Sequence, residues 1–400
     1  MYFFFQNVRS AENISNEIFS RTYLCRMAGI YIHIPFCKQK CTYCDFHFST
    51  TFVSYRAQMI EALCTEIRLR LSQFDEPIDV QTLYLGGGTP SLLLESELKS
   101  IVETLAEFVT ISNIIEFTLE ANPDDIDLTR LELWKNLGIN RLSIGIQSFD
   151  DNDLKWMNRA HSAEESWNAI LQAQQNGFTN ISIDLMYGLP NQSFEKWQRQ
   201  LETALQLGVP HISSYCLTVE ERTALKKFVE RRELVIPDED LVAEQFDFLV
   251  ETLEKHGLVH YEISNFALPN AHAIHNSNYW KGAHYWGIGP SAHGFDGTHR
   301  YWNISNNREY IKILERGDLP ETIEILTPEN KFNELILTGL RTQWGVDFLK
   351  LRALVELSNL WHQKIVAFER DGVLEWVGDN FRLTKKAKLQ ADFYAAELFM

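Results

Sequence analysis

Tyr31-Ile32-His33-Ile34-Pro35-Phe36-Cys37-Lys38-Gln39-Lys40-Cys41-Thr42-Tyr43-Cys44-Asp45-Phe46 places three cysteines in a C-x3-C-x2-C spacing straight after a short apolar, strand-like run. A cube of four irons and four sulfides normally takes four thiolates. Three ligands from one short loop therefore leave one iron with a position open to something other than protein sulfur. Zinc also takes thiolates, but structural zinc closes a tetrahedron, and only His33 or His47 lies near enough in sequence to complete one. The spacing is unlike that of paired zinc knuckles, so Cys37, Cys41 and Cys44 are read as ligands of a 4Fe-4S cluster.

That stretch resembles the cysteine loop of the radical S-adenosylmethionine (SAM) superfamily. The resemblance implies that the amino and carboxylate groups of SAM fill the open iron position. It also implies that one electron from the cluster can cleave the sulfonium and release a 5'-deoxyadenosyl radical.

Outward from the loop, β-rich runs at 29–35, 80–86, 115–121, 141–147, 180–188 and 211–218 alternate with amphipathic helical patterns at 55–74, 95–109, 129–137, 163–176 and 193–207. Such alternation implies parallel strands joined by right-handed crossovers. Six units are too few for a full eight-stranded barrel, so the expected fold is α/β, an open partial (β/α)6 barrel over 27–220. Chemistry in such a fold belongs at the C-terminal ends of the strands. The cysteines follow the first run, Gly86-Gly87-Gly88-Thr89-Pro90 the second, Glu120 ends the third, Gln147 the fourth and Asp184 the fifth, so all are expected at one mouth.

The glycine run suits the charged end of SAM because it offers unhindered backbone, although a plain tight turn has the same composition. It is no P-loop, since the closing Lys-Ser/Thr is missing. The phrase Leu85-Gly86-Gly87-Gly88-Thr89-Pro90-Ser91 resembles the glycine motif of the oxygen-independent coproporphyrinogen oxidase family, and the likeness continues over nearly the whole chain from Met27 onward. It implies that Tyr31, Gly87, Gly88 and Thr89 contact SAM, that Glu120 and Gln147 lie along it, that Arg159 pairs with its carboxylate and that Asp184 binds a ribose hydroxyl. These types are apt: an Arg fork matches a carboxylate and an Asp accepts from hydroxyls. Singly, Arg159 also reads as a surface helix charge and Asp184 as a barrel-end cap.

Two departures divide that family. The oxidases resemble C-x3-C-x2-C-x-C, whereas this chain has Phe46 at the last position, and only residues 1–26 precede the first strand where the oxidases carry a longer segment. The version with Asp45-Phe46 is similar to the HemW-type heme chaperones, which bind heme and pass it to an acceptor protein. The resemblance extends to His275-Asn276-Ser277-Asn278-Tyr279-Trp280, which matches the HNxxYW signature of those chaperones. Imidazole ligates heme iron well, and Tyr and Trp pack on a porphyrin face. A lone His beside two aromatics is more often structural, and His272, His284 and His293 are nearby substitutes, but with the resemblance His275 is the expected ligand. No C-x-x-C-H is present, so thioether attachment is not indicated.

The remainder bounds the reading. Hydrophobic content of 45% allows a large core. A formal charge of -17 argues against general nucleic-acid binding, and no run is long enough to cross a bilayer. Six scattered or clustered Cys do not form a disulfide framework, which favours a reducing cytoplasm, and Cys64 reads as helix core. Residues 1–26 lack the features of a signal peptide and are expected to be a disordered extension or a misassigned start, with translation beginning at Met27. Residues 221–326 are expected to cover the barrel and contribute the heme site. Within them, Gly287-Ile288-Gly289-Pro290-Ser291-Ala292-His293-Gly294 reads as a tight packing loop and not as a dinucleotide fingerprint, because Pro290 interrupts the expected helix. Residues 327–400 read as three helices, a β ribbon near 374–376 and 381–383, and a last helix. That is a winged-helix-like order whose charges balance, so a lid or docking surface is expected in place of a DNA reader.

The combined expectation is a cytoplasmic heme chaperone with a cluster, exchangeable SAM and an apo-hemoprotein acceptor, which respiratory proteins would suit. The alternatives are a coproporphyrinogen III oxidase that decarboxylates propionates to vinyl groups, and a scaffold whose cluster senses oxygen.

Overall fold

The computed structural model describes residues 27–74 and 78–400, so the expectation for 1–26 lies outside the described residues. The first strand, β1 (Met27–Ile34), buries Ile30, Ile32 and Ile34 on one face and turns Gly29, Tyr31 and His33 to the other. The same period of two recurs in β2 (Val80–Gly87), β3 (Glu116–Ala121), β4 (Arg141–Gln147), β5 (Asn180–Tyr187) and β6 (His211–Cys216). On one face stand Leu83, Phe117, Leu119, Leu142, Ile181 and Ile183, all fully or almost fully buried. On the other stand Tyr84, Glu120, Arg141, Asp184 and Ser213. Parallel sheets are usually apolar on both faces. Here one face is polar because it curls around an interior cavity and meets the polar start of a single short helix, residues 274–280.

The apolar face packs on α1 (Arg56–Leu71), α2 (Glu95–Ala106), α3 (Leu128–Asn136), α5 (Ala163–Gln175) and α6 (Phe194–Gln206), while the short α4 (Asp151–Trp156) ends against a separate cluster around Met157, Met186 and Leu217. Several begin at side-chain caps: Asp127 accepts from the Arg130 N–H, Asp150 from the N–H groups of Asn152 and Asp153, and Ser162 forms a reciprocal box with Glu165. Cys64 is buried on α1, as expected. β1 to β6 pair in parallel and in chain order, the expected open six-stranded arrangement.

The sheet does not stop there. After α7 (Ala224–Glu230) and α8 (Glu239–Lys255), the hairpin β7 (Val259–Glu262) and β8 (Asn265–Ala267) adds antiparallel to β6. After α9 (Ile274–Trp280), β9 (Tyr285–Ile288) adds parallel to the free edge of β1, and β10 (His293–Phe295), β11 (His299–Asn303) and, past α10 (Asn307–Glu315), β12 (Glu321–Ile325) continue outward. The result is a 12-stranded sheet. The strands of the stretch expected to cover the barrel therefore extend its sheet at both edges, pairing backbone groups that an open six-stranded sheet would leave bare. The expected loop at 287–294 is corrected likewise: Gly287 and Ile288 lie in β9, where a Cβ at Gly287 would stand 1.8 Å from the His293 carbonyl oxygen, and the turn follows at Gly289, whose φ is 102°.

Residues 328–400 form a second core around Phe332, Ile336, Leu340, Leu374 and Phe381. Its elements are α11 (Pro328–Leu340), β13 (Val346–Asp347), α12 (Phe348–Leu354), α13 (Asn359–Arg370), β14 (Leu374–Val377), β15 (Asn380–Leu383) and α14 (Ala391–Leu398). The small antiparallel sheet runs β13-β15-β14, the winged-helix-like order expected, with β13 too short to leave a period in the sequence. This unit meets the barrel where the Gln343 N–H donates to the Tyr261 carbonyl at 2.9 Å and Lys388 Nζ to the His260 carbonyl at 3.1 Å. No helix among the described residues is long and apolar enough to cross a membrane.

Candidate functional site

The cysteine loop is clamped against the end of α4. Gln39 Nε2 donates to the Asn158 carbonyl at 2.7 Å, Asn158 Nδ2 to the Lys40 carbonyl at 2.8 Å, and the Thr42 N–H to the Met157 carbonyl at 3.0 Å. Asn158 adopts φ of 58°, a left-handed conformation that Asn tolerates. Lys38 ties the loop to Asp124, at 2.6 Å, and to Asp125. Cys37, Cys41 and Cys44 are free and partly accessible.

Each sulfur receives at least one donor. Thr89 Oγ1 donates to Cys37 Sγ and Arg159 Nη1 to Cys41 Sγ, both at 3.5 Å, and a backbone hydrogen bond from Phe46 reaches Cys44. Burial pushes the Cys37 thiol up to about 11 and the Cys44 thiol up to about 12. Both are therefore protonated in the free protein, and a metal must displace those protons to bind. Three thiols in one loop, each already supplied with a donor, fit a thiolate-held cluster, whose charge and potential are tuned by such bonds. The zinc alternative loses His33: its Nε2 meets the His47 carbonyl at 2.8 Å, its Nδ1 meets the Tyr31 hydroxyl at 3.1 Å, and burial lowers it to about 4.

Behind the loop, the glycine run and the strand ends meet. Gly87 has φ of 108°, and its N–H donates to Glu120 Oε2 at 3.0 Å while the Tyr84 hydroxyl donates to Oε1 at 2.8 Å. Burial lifts Glu120 to about 7 against the Tyr84 bond, and lifts Asp184 to about 6 against a bond from Ser213. Both carboxyls thus sit poised near neutrality inside the barrel. Tyr31 abuts the same place, since a Cβ on Gly86 would lie 3.0 Å from both the Tyr31 ring and Glu120 Oε1.

Arg159 is not a surface charge. It follows α4 and turns inward, donating through Nη2 to Asn122 Oδ1 at 2.6 Å and to the Gly145 carbonyl at 2.7 Å, with its Nε buried and unpartnered. Asn122 Nδ2 in turn reaches Thr89 Oγ1 at 3.5 Å, so one chain of bonds runs from Cys41 through Arg159, Asn122 and Thr89 to Cys37. Gln147, at φ of 72° beside a register shift in β4, brings Nε2 within 3.1 Å of where a Gly145 Cβ would stand. Asp184 faces the interior and is no end cap. Tyr31, Gly87, Gly88, Thr89, Glu120, Gln147, Arg159 and Asp184 are thus gathered around one mouth.

His275 opens on the same interior. It is 2% exposed, with Nδ1 2.7 Å from Thr82 Oγ1 and Nε2 2.7 Å from the Tyr279 hydroxyl. Its ring lies 5.1 Å from that of Tyr84. Burial, with Arg141 beside it, lowers it to about 3, so it is neutral. The start of α9 is fixed from β3: the two oxygens of Glu116 accept the Ile274 and His275 N–H groups, each at 2.8 Å. A cavity of about 450 Å³ is walled by Tyr31 and Glu120 on one side, His275, Tyr279 and Trp280 on another, and Arg341 on a third. His272, His284 and His293 do not line it. Of the residues expected around SAM, Tyr31 and Glu120 share this space with His275, while Cys37, Cys41, Cys44 and the glycine run do not line it.

Sequence reasoning missed Tyr84, Glu116 and Arg141, and brought Asn122 to the mouth, just after Glu120, without a role. Arg141 is 1% exposed, 3.9 Å from Glu116, with Nε and Nη1 unpartnered. A charged residue opening a run otherwise read as a buried parallel strand was the available signal, because such strands are normally apolar. Asn122 carried none beyond its place after Glu120.

The model of the radical SAM superfamily matches residues 31–204, and that of the HemN C-terminal domain matches 326–389. The chain is similar to the heme chaperone HemW of Mycobacterium tuberculosis strain H37Rv, at 34% identity over 91% of this chain and 93% of that protein. It is 36% identical to the heme chaperone HemW of Bacillus subtilis, over 80% of this chain and 85% of the other. Among solved structures, coproporphyrinogen III oxidase (HemN) from Escherichia coli superposes with a TM-score of 0.80 at 22% identity, covering 95% of this chain and 92% of that one, which shows the shared fold.

Proposed function

The chain belongs to the family of the heme chaperone HemW, and from that premise we propose that it binds heme and delivers it to an apo-hemoprotein. The observation that carries the reading is a cavity of about 450 Å³ in which Tyr31 and Glu120 share walls with His275, Tyr279 and Trp280. Such a space suits a flat, mostly apolar ring with a nitrogen ligand at one side. Phe46, 72% exposed where the oxidases have a further cysteine, points the same way.

In this reading Cys37, Cys41 and Cys44 hold a 4Fe-4S cluster, and Tyr31, Gly87, Gly88, Thr89, Glu120, Gln147, Arg159 and Asp184 hold SAM. When bound, the pair supplies one-electron chemistry at the cavity's edge. The residues do the rest. Thr89 and Arg159 fix two sulfurs, Glu120 ties the glycine run to β3, and Asp184, largely protonated only below about pH 6, offers acceptor oxygens to hydroxyls at neutral pH. His275 ligates heme iron through one ring nitrogen while the other is held by a hydroxyl. The acceptor is a hemoprotein, with respiratory hemoproteins the finer expectation, and the site of action is the cytoplasm. Residues 328–400 form a docking or lid surface beside the cavity.

A paired anaerobic assay tests the function. With SAM, reductant and coproporphyrinogen III the protein should yield no vinyl product, while hemin titration should saturate and the loaded protein should transfer heme to an apo-hemoprotein. Formation of protoporphyrinogen IX without hemin binding would assign the chain to the oxidases instead.

A further inference from the structure

One end of this cavity holds an arginine whose hydrogen bonds are incomplete. Arg341 closes α11 and reaches the cavity wall from the second domain. Its Nη1 binds Asp392 Oδ1 at 2.7 Å, its guanidinium carbon lies 5.7 Å from the centre of the Trp280 ring, and its Nε is buried without a partner. Asp392, in the first turn of α14, is 69% exposed in its side chain, so it has water as an alternative and contributes little by holding the arginine.

Across from Arg341 stand Glu262 and Asn265. Glu262 is 1% exposed and burial lifts its carboxyl to about 7, while Asn265 Oδ1 has no partner. Glu262 therefore offers the guanidinium only part of a charge near neutrality. Arg341 thus keeps an N–H at Nε that no acceptor of the protein takes. At the other end Tyr31, Tyr84 and Tyr279 present ring faces and edges. An occupant that satisfies both ends has a flat apolar body and a carboxylate on one rim, which is the chemistry of a tetrapyrrole bearing propionates.

Building on the heme reading, we propose that Arg341 is the anchor for a propionate carboxylate of the tetrapyrrole and that Asp392 is the placeholder it exchanges. The end-on fork of Arg341 pairs with a carboxylate through two parallel N–H groups, one on each terminal nitrogen, and the Nη1 group is the one that Asp392 now holds. Taking up the propionate frees Asp392 to solvent and undoes the ion pair between the end of α11 and the start of α14. Cargo occupancy is thereby read out at the junction of the two domains.

Hemin and its dimethyl ester, which keeps the ring and removes both carboxylates, separate the anchor from general heme binding. The full-length wild type should bind hemin about tenfold more tightly than the ester, and R341Q should bring the two affinities to within about twofold of each other. R341K, a point charge without the fork, should keep part of the preference. D392N should tighten hemin a few-fold by removing the competitor, with the ester unaffected. An R341Q protein that still prefers the free acid as strongly as wild type, or a D392N protein that binds hemin more weakly, would overturn the proposal and leave the chaperone reading standing. So would equal binding of acid and ester by wild type. A wild type that binds neither ligand would remove the chaperone reading and this inference together.

Discussion

His275 Nε2 and the Tyr279 hydroxyl, one helical turn apart on α9, stand 2.7 Å from each other, and the same ring's Nδ1 stands 2.7 Å from Thr82 Oγ1. Neutral imidazole has one N–H and one lone pair, so both are engaged in the free protein. Ligation through Nε2 requires Tyr279 to let go and Nδ1–H to donate to Thr82. Tyr279→Phe should therefore tighten ferric heme by roughly threefold to tenfold, the worth of one released hydrogen bond. His275→Ala should lose the shifted Soret band. Full affinity and an unchanged band in His275→Ala would remove the histidine from the role.

Glu116 sets where that histidine stands, because its carboxylate caps the first turn of α9 from β3. Glu116→Ala removes two charge-assisted bonds and leaves Arg141 less compensated, so chemical denaturation should show a loss of about 3 kcal/mol. Glu116→Gln, which keeps one acceptor oxygen, should lose about half of that. Equal stability of the two variants would mean that the cap is not what holds α9.

Replacing any one of Cys37, Cys41 or Cys44 by Ser should abolish the brown colour and the iron and sulfide content of anaerobically reconstituted protein. Two remaining thiolates cannot hold three corners of the cube. Colour retained in all three variants would sink the cluster assignment.

Gly87 is glycine for two reasons that act together. Its φ of 108° is outside the range of L side chains, and a Cβ there would meet His33 Nδ1 at 2.4 Å in a ring already held by Tyr31 and the His47 carbonyl. Gly87→Ala should cost about 1–3 kcal/mol of stability and, by tilting the Gly87 N–H off Glu120, weaken SAM binding. Calorimetric titration with SAM on reconstituted protein checks the second effect, and unchanged binding in a destabilised variant would separate the two.

His260 stacks on Phe266 with ring centroids 4.3 Å apart, and burial lowers it to about 3 from an unfolded value of 6.5. Above pH 6.5 neither state carries the proton and the group contributes no pH dependence. Below it the unfolded chain takes a proton that the folded chain refuses, so stability falls as pH falls, by about 1.4 kcal/mol per unit until about pH 3. Between pH 7.5 and pH 5 the wild type should lose about 2 kcal/mol relative to His260→Phe. A stability difference that is the same at both pH values would contradict the burial account.

Alternation of strand and helix, with each motif at a strand's C-terminal end, was legible because it is local. A period of two or of 3.6 shows within one element, and the cap residues and the cysteine spacing act over a few positions. β7 to β13, of two to five residues each, leave no such period, which is why the 221–326 stretch did not read as sheet edge. The interior partners were invisible for a different reason. Arg159 and Asn122 are 37 residues apart, and Glu116 and His275 are 159 apart.

By itself the sequence determined the cluster loop, the parallel order of β1 to β6 and the mouth on which five strand ends converge, since short-range spacing and periodicity dictate all three. Only the tertiary structure decided that Tyr84 meets Glu120, that Asn122 links Arg159 to Thr89, and that Arg341 reaches a cavity shared with His275. Those pairings arise where curvature of the sheet and docking of the second domain bring distant residues together, and a buried polar group takes whichever partner that packing places within reach.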